Sequence, residues 1–249
     1  MTEGEWMNCT DPTRMLKFLR GKISDRKLRL FGVACCRRIW HLLPDERSQH
    51  AVAVAELFAD GLVTEAEAEA AGNAAAEVSR DDLYGIPAEV GWRAARAVDH
   101  LLPLPEEAWQ LKAVWEYVAV AMEGEQLVKE GATPEMLDAW SDQSVESGRS
   151  MGWTASNPDA ILTDVLREVI GPLPIRRVAI NPAILLGNSG TIPKLAQGIY
   201  DDRGFDRMPL LADALEDAGC DNGDIVAHCR GQGPHSRGCW VIDLVLGKG

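Results

Sequence analysis

The sequence predicts an all-α protein, a multi-helix globular bundle with a helical-hairpin cap at its C-terminal end. Three observations predict it. Apolar residues recur at helical spacing through most of the 249 residues. Residues that cap helices (Asp, Ser, Thr, Asn) stand just before segment after segment. No segment reads as a strand with a visible partner strand. A chain of this size can bury about three quarters of its unfolded surface, so a core needs neither disulfides nor metal. Eight Trp against three Tyr and four Phe supply large anchors between helices.

Taken in order, Asp11-Pro12 is a cap followed by proline at the first helical position, opening a short helix to about Gly21. Ser24 caps the next helix, expected to run to about Leu43 and stop before Pro44. Its apolar stripe is Leu28, Phe31, Cys35, Ile39 and Leu42, with Arg26, Arg29 and Arg37 on the opposite face. A third helix spans about Asp45 to Gly61, carrying Ala51, Val54, Ala55 and Phe58 on one side. Thr64 with Glu67 is a capping box that opens an Ala/Glu-rich helix to about Ser79. "YGIPAEVGW" interrupts, and Ala88 to Leu102 resumes the helical pattern.

Pro105 opens a long helix to about Gly131, with Leu111, Val114, Trp115 and Val118 buried, and Pro134 another through Trp140. Asn157-Pro158 starts a helix that stops at Gly171-Pro172. Residues 172–193 contain four Pro and read mostly as loop, with "RRVAI" a short extended piece. Helices return at about Pro193–Asp201, Asp206–Ala218 and Asp221–Cys229, the last two joined as a hairpin through a Gly turn. The closing "GCWVIDLVLG" has β-branched residues that suit a strand, but reads as a buried helix. This gives an N-terminal helical domain over 1–140, a Gly/Ser-rich linker candidate over 141–157 and a C-terminal helical domain over 158–249, or one continuous domain.

Charge is unevenly spread. Residues 1–50 hold ten Lys/Arg against six Asp/Glu, and residues 51–170 hold seven against twenty-three. The acidic middle disfavours nucleic acid as a partner. The basic N-terminal face reads as a solvated surface, or as one whose counter-charge comes from the acidic middle of the same chain. A protein partner is the expectation, with no catalytic set recognised. No run of about eighteen apolar residues marks a membrane span. "MTEGEWMNCTDP" lacks the apolar core of a signal peptide, so the cytoplasm is expected, where six Cys serve as thiols or ligands.

The densest chemistry lies in "HCRGQGPHSRGCW", His228 to Trp240. Cys220, Cys229, His235 and Cys239 follow a C-x8-C-x5-H-x3-C spacing with His228 beside Cys229. Thiolate and imidazole suit Zn²⁺, which takes four such ligands in a tetrahedron, although the C-x2-C pair of zinc ribbons is absent. A second reading is an anion loop: Gly231, Gly233 and Gly238 let backbone N–H groups approach a ligand, and Arg230, His235 and Arg237 add charge. Its alternative is a turn in which the arginines pair with Asp213, Glu216 or Asp217. A cysteine nucleophile lacks an orienting group and an oxyanion hole. Helix, Gly turn, helix over 211–229 outlines a DNA reader too, but Asp221 and Asp224 would face phosphates.

Residues 1–48 and 199–248, and "GPHSRGCW" most specifically, resemble the two ends of a large paralogous family of bacterial proteins without assigned function. The resemblance implies a helical protein made in many variants, and no activity. An Asn-Pro-Phe-Arg-Pro-like motif common in that family is replaced here by "IGPLPIRRV".

Overall fold

The structure, a computed structural model, describes residues 1–43, 45–78, 88–102, 112–147, 157–172 and 175–249. Among these residues the regular elements are helices and there is no strand. The first is α1 (Glu3–Asn8), opened by a Thr2/Glu5 capping box. Asp11 caps α2 (Pro12–Leu19) by accepting from the Arg14 N–H, and Ser24 caps α3 (Asp25–Arg38) by accepting from that of Lys27. α3 ends five residues short of Leu43, and its register continues as a 3₁₀ turn over Trp40–Leu42. Then follow α4 (Glu46–Ala59), capped by Asp45, and α5 (Glu65–Val78), where Thr64 and Glu67 close the expected box. α6 is Ala88–Asp99 and α7 is Lys112–Lys129. The start expected at Pro105, the buried-face residue Leu111, Pro44, the stop expected at Ser79 and the first part of "YGIPAEVGW" lie outside the described residues. α8 (Pro134–Ser147) runs on past Trp140 into the linker candidate, of which 148–156 lie outside them too.

Asn157 caps α9 (Pro158–Ile170), which Gly171 ends at φ +64°. The stretch read as loop contains α10 (Pro182–Leu186), capped by Asn181, while "RRVAI" forms no regular element. α11 (Thr191–Asp202) and α12 (Met208–Asp217) follow. Gly219, at φ +89°, turns the chain into α13 (Gly223–Arg230), with the Cys220 N–H bonded back to the Leu215 carbonyl as in a Schellman stop. The closing segment is the helix α14 (Trp240–Leu246).

The buried apolar side chains fall into two clusters. The first takes residues from Trp6 to Ile170 and is centred on α3, which packs on α4, α7 and α9. The second runs from Val178 to Val245, with α11 on α14 and α12, and α12 on α13. The seam between them brings α3 and α9 from one side against α14 and the loop before it from the other.

That seam is held by buried charge. Lys27 donates to the carbonyls of Val169 (2.9 Å) and Gly238 (2.8 Å) and sits 2.6 Å from Asp243 Oδ2. Arg26 forks onto Asp243 at 2.7 and 3.1 Å, and reaches Asp60 Oδ1 and the Tyr200 hydroxyl, each at 2.9 Å. Burial opposes the charge on Arg26, and Asp243 overcomes it and raises its pKa; for Lys27 burial wins and lowers it. Several polar groups therefore fix α3, the end of α4, α11 and α14 in a single arrangement, since breaking any pair would strand a charge out of water. Much of the basic N-terminal face is thus paired within the chain: Arg26 with Asp60 and Asp243, Arg37 with Glu56, Arg14 with Glu5.

Candidate metal centre

Four side chains from four places in the chain meet beside this seam. Glu168 projects from the last turn of α9 and is buried. His228 lies in the last turn of α13. His235 comes from the loop that Gly231 and Pro234 carry back over the helix end, and Cys239 stands at the cap of α14, fully buried. Their ligating atoms all lie within 4.8 Å of one another. His228 Nε2 is 3.1 Å from Glu168 Oε2 and 3.2 Å from Cys239 Sγ, and His235 Nδ1 is 3.2 Å from the same Oε2. The edges of a zinc tetrahedron are about 3.3–3.6 Å for bonds of the usual length, so a small closure or opening of each contact reaches that geometry.

The surroundings orient these groups. Glu168 Oε1 accepts the Ser236 N–H at 3.3 Å, which leaves Oε2 to the rings. His235 Nε2 faces the Gly231 carbonyl at 3.2 Å, and a proton held there presents the Nδ1 lone pair to the centre. The His228 ring packs against those of His235 (5.0 Å between centroids) and Trp240 (5.2 Å). Trp240 in turn lies on Gly171, where a Cβ would come within 2.5 Å of its indole. Gly238 takes φ +88° with its Cα against Leu30, a position no branched side chain could share.

The four groups are electrostatically coupled. Burial raises the Glu168 carboxyl, and hydrogen bonds and charge from His228 and His235 outweigh it and bring it down to about 2. Burial pushes His235 down, and Glu168 more than restores it. Burial and the Glu168 charge push the Cys239 thiol well above its ordinary value. A divalent cation would balance one carboxylate and one thiolate, leaving a neutral cluster in a place where net charge is costly.

The contacts converge rather than form a relay. In a Cys-His-acid triad the acid holds the nitrogen that faces away from the thiol. Here Glu168 and Cys239 approach the same nitrogen, Nε2 of His228. That arrangement does not serve a nucleophile, and it does suit a shared ion.

Of the residues singled out by spacing, His228, His235 and Cys239 come together. Cys220 and Cys229 do not join them; both pack in the second core cluster, and burial raises the Cys229 thiol to about 12. Glu168 was not singled out. It stands 60 residues before His228, and nothing in its local sequence separates it from the other acids of an acidic stretch. The anion-loop residues part company. Arg230 pairs with Asp213 (2.7 Å) and Glu216, Arg237 donates to the carbonyls of Tyr200 and Asp201 (3.2 Å each), and Gly238 offers its carbonyl to Lys27. The Gly231 N–H caps α13 on His228, and Gly233 borders a groove of about 520 Å³ beside Arg230 and His235. His228 lines a separate cleft of about 310 Å³ with Trp6, Arg167 and Trp240, an approach for an ion from solvent.

Comparison with protein-family models, with curated proteins and with solved structures returned no match. The fold and the cluster therefore define the protein by architecture: an all-α protein with a partly buried His₂-Cys-Glu group that could hold a metal ion.

Proposed function

We propose that this protein is a non-enzymatic helical scaffold for a protein partner, whose C-terminal cap is stapled by one Zn²⁺ held by Glu168, His228, His235 and Cys239. The observation that carries the zinc staple is the convergence of four ligand atoms from α9, α13, the connecting loop and α14; the scaffold role rests on the helical fold and the sequence, in which no catalytic set is recognised. One sulfur, two nitrogens and one oxygen form a donor set that zinc accepts. A structural role fits because four side chains fill a tetrahedron, leaving no position for a substrate. The site would fasten elements from both core clusters. The reading places the protein in the cytoplasm, where six unpaired thiols persist. No helix among the described residues is long and apolar enough to cross a membrane.

Metal analysis of purified protein tests it. The reading expects about one equivalent of zinc, and a chelator should lower the melting temperature of wild type but not of Cys239→Ser. Zinc below about a tenth of an equivalent, after the protein has been offered the ion, would count as incidental binding and contradict it.

A further inference from the structure

Where α3 and α4 meet the end of α11, two arginines converge on one buried carboxylate and a third lies beside them. Arg37, in the last turn of α3, forks onto Glu56 of α4 with Nε and Nη2 at 3.1 Å each. Arg203, just past the end of α11, reaches Oε2 of the same carboxylate. Arg237, from the loop before α14, is anchored by the carbonyls of Tyr200 and Asp201 and lies over the Tyr200 ring at 5.0 Å. Glu56 is 2% exposed, whereas the Arg37 and Arg203 side chains are 24% and 41% exposed.

The charges do not balance. Arg37 and Arg203 share the Glu56 carboxylate, Arg237 stands near enough for its charge to act on both and pairs with carbonyls only, and the Asp201 and Asp202 carboxylates take Gln197 and Arg207 instead. Burial and the neighbouring cations lower the Arg203 pKa to about 10, and burial and Arg237 lower that of Arg37. Each guanidinium has five N–H donors. Arg37 uses two on Glu56, Arg203 one, and Arg237 two on carbonyls, so donors remain on all three. Arg203 also adopts φ +51°, a left-handed conformation that is strained for a residue with a Cβ. A glycine would cap α11 without that strain.

We propose that Arg37, Arg203 and Arg237 form a receptor for a phosphoryl dianion, with Glu56 holding two of the three forks in place. Two net positive charges match a dianion, and planar N–H forks match its oxygens. The site joins α3 to the ends of α11 and of the loop, so an occupant would touch both core clusters. Arg237 shares a loop with the candidate ligands His235 and Cys239, but none of the three arginines belongs to the metal group and the proposal does not rest on it.

Titration calorimetry with inorganic phosphate, at constant ionic strength in chloride, tests the assignment. A second arm uses O-phosphoserine. Saturable binding is expected in at least one arm. Arg203→Gly is the diagnostic variant, because it relieves the strain and leaves Arg37 on Glu56. It should fold at least as stably as wild type, yet bind about tenfold more weakly or worse, as expected for the loss of a charge-assisted hydrogen bond. Arg230→Gln, outside the cluster, should bind as wild type. Equal affinity in the two arms would assign the site to free phosphate, and tighter binding of phosphoserine to a phosphoryl group on a larger molecule. No saturable binding in either arm, or wild-type affinity in Arg203→Gly, would overturn the proposal. Zinc content should be the same in all three proteins, so failure here and failure of the metal reading are distinguishable.

Discussion

Lys27 Nζ donates a 2.8 Å hydrogen bond to the carbonyl of Gly238, the residue immediately before Cys239. A helix near the start of the chain thereby fixes the backbone that presents a candidate metal ligand near its end. Lys27→Met would remove the cation, leave the Gly238 and Val169 carbonyls without that donor, and leave Asp243 to Arg26 alone. Loss of one partner from a buried charged pair costs about 3–5 kcal/mol. Chemical denaturation should show a loss of that order, and the variant should hold zinc more weakly. A stability within about 0.5 kcal/mol of wild type, the range of an ordinary surface change, would show that the seam does not depend on Lys27.

Asp60 gives the seam a pH dependence. Burial raises its carboxyl, and the Tyr200 hydroxyl, Arg26 and Lys248 overcome burial and hold it below its ordinary value. The unfolded chain therefore takes up this proton at a higher pH than the folded one. The contribution is complete above the ordinary carboxylate value, about 4, and is lost as pH falls through the lowered folded value. Asp60→Asn should be less stable than wild type near neutrality, and the gap between them should shrink in acid. Melting temperatures measured from about pH 7 down to about pH 3 check this; a gap that stays constant would remove Asp60 from the account.

Gly171 ends α9 at φ +64° with its Cα against Trp240. Gly171→Ala adds both a strained backbone and an overlap with the indole, so a loss of about 1–3 kcal/mol is expected. Because Trp240 packs on His228, tryptophan fluorescence should shift together with stability. An alanine variant as stable as wild type would show that the Trp240 contact is loose.

Much of the helical order was legible in local chemistry. Asp11, Ser24, Thr64 with Glu67, and Asn157 each cap the helix expected of them. Thr2 with Glu5 carried the same signal for α1, and Asn181-Pro182 carried it for α10 inside the proline-rich stretch. The site was legible only where its residues are close in sequence. His228, His235 and Cys239 stood out by density, but Glu168 reaches them through the packing of α9 on α14, which no spacing encodes. Cys220 and Cys229 matched a ligand pattern equally well, and apolar packing claimed them. Arg230 pairs with Asp213 and Glu216 as the turn reading allowed. Arg237 joins arginines 200 and 34 positions away in the chain, a grouping that only the fold creates.

The most direct test of the metal reading is anomalous diffraction at the zinc edge from crystals of protein loaded with one equivalent of the ion. The account predicts one peak, about 2.0–2.3 Å from Glu168, His228, His235 and Cys239. A peak bound instead by Cys220 or Cys229, or no peak among these four residues, would contradict it.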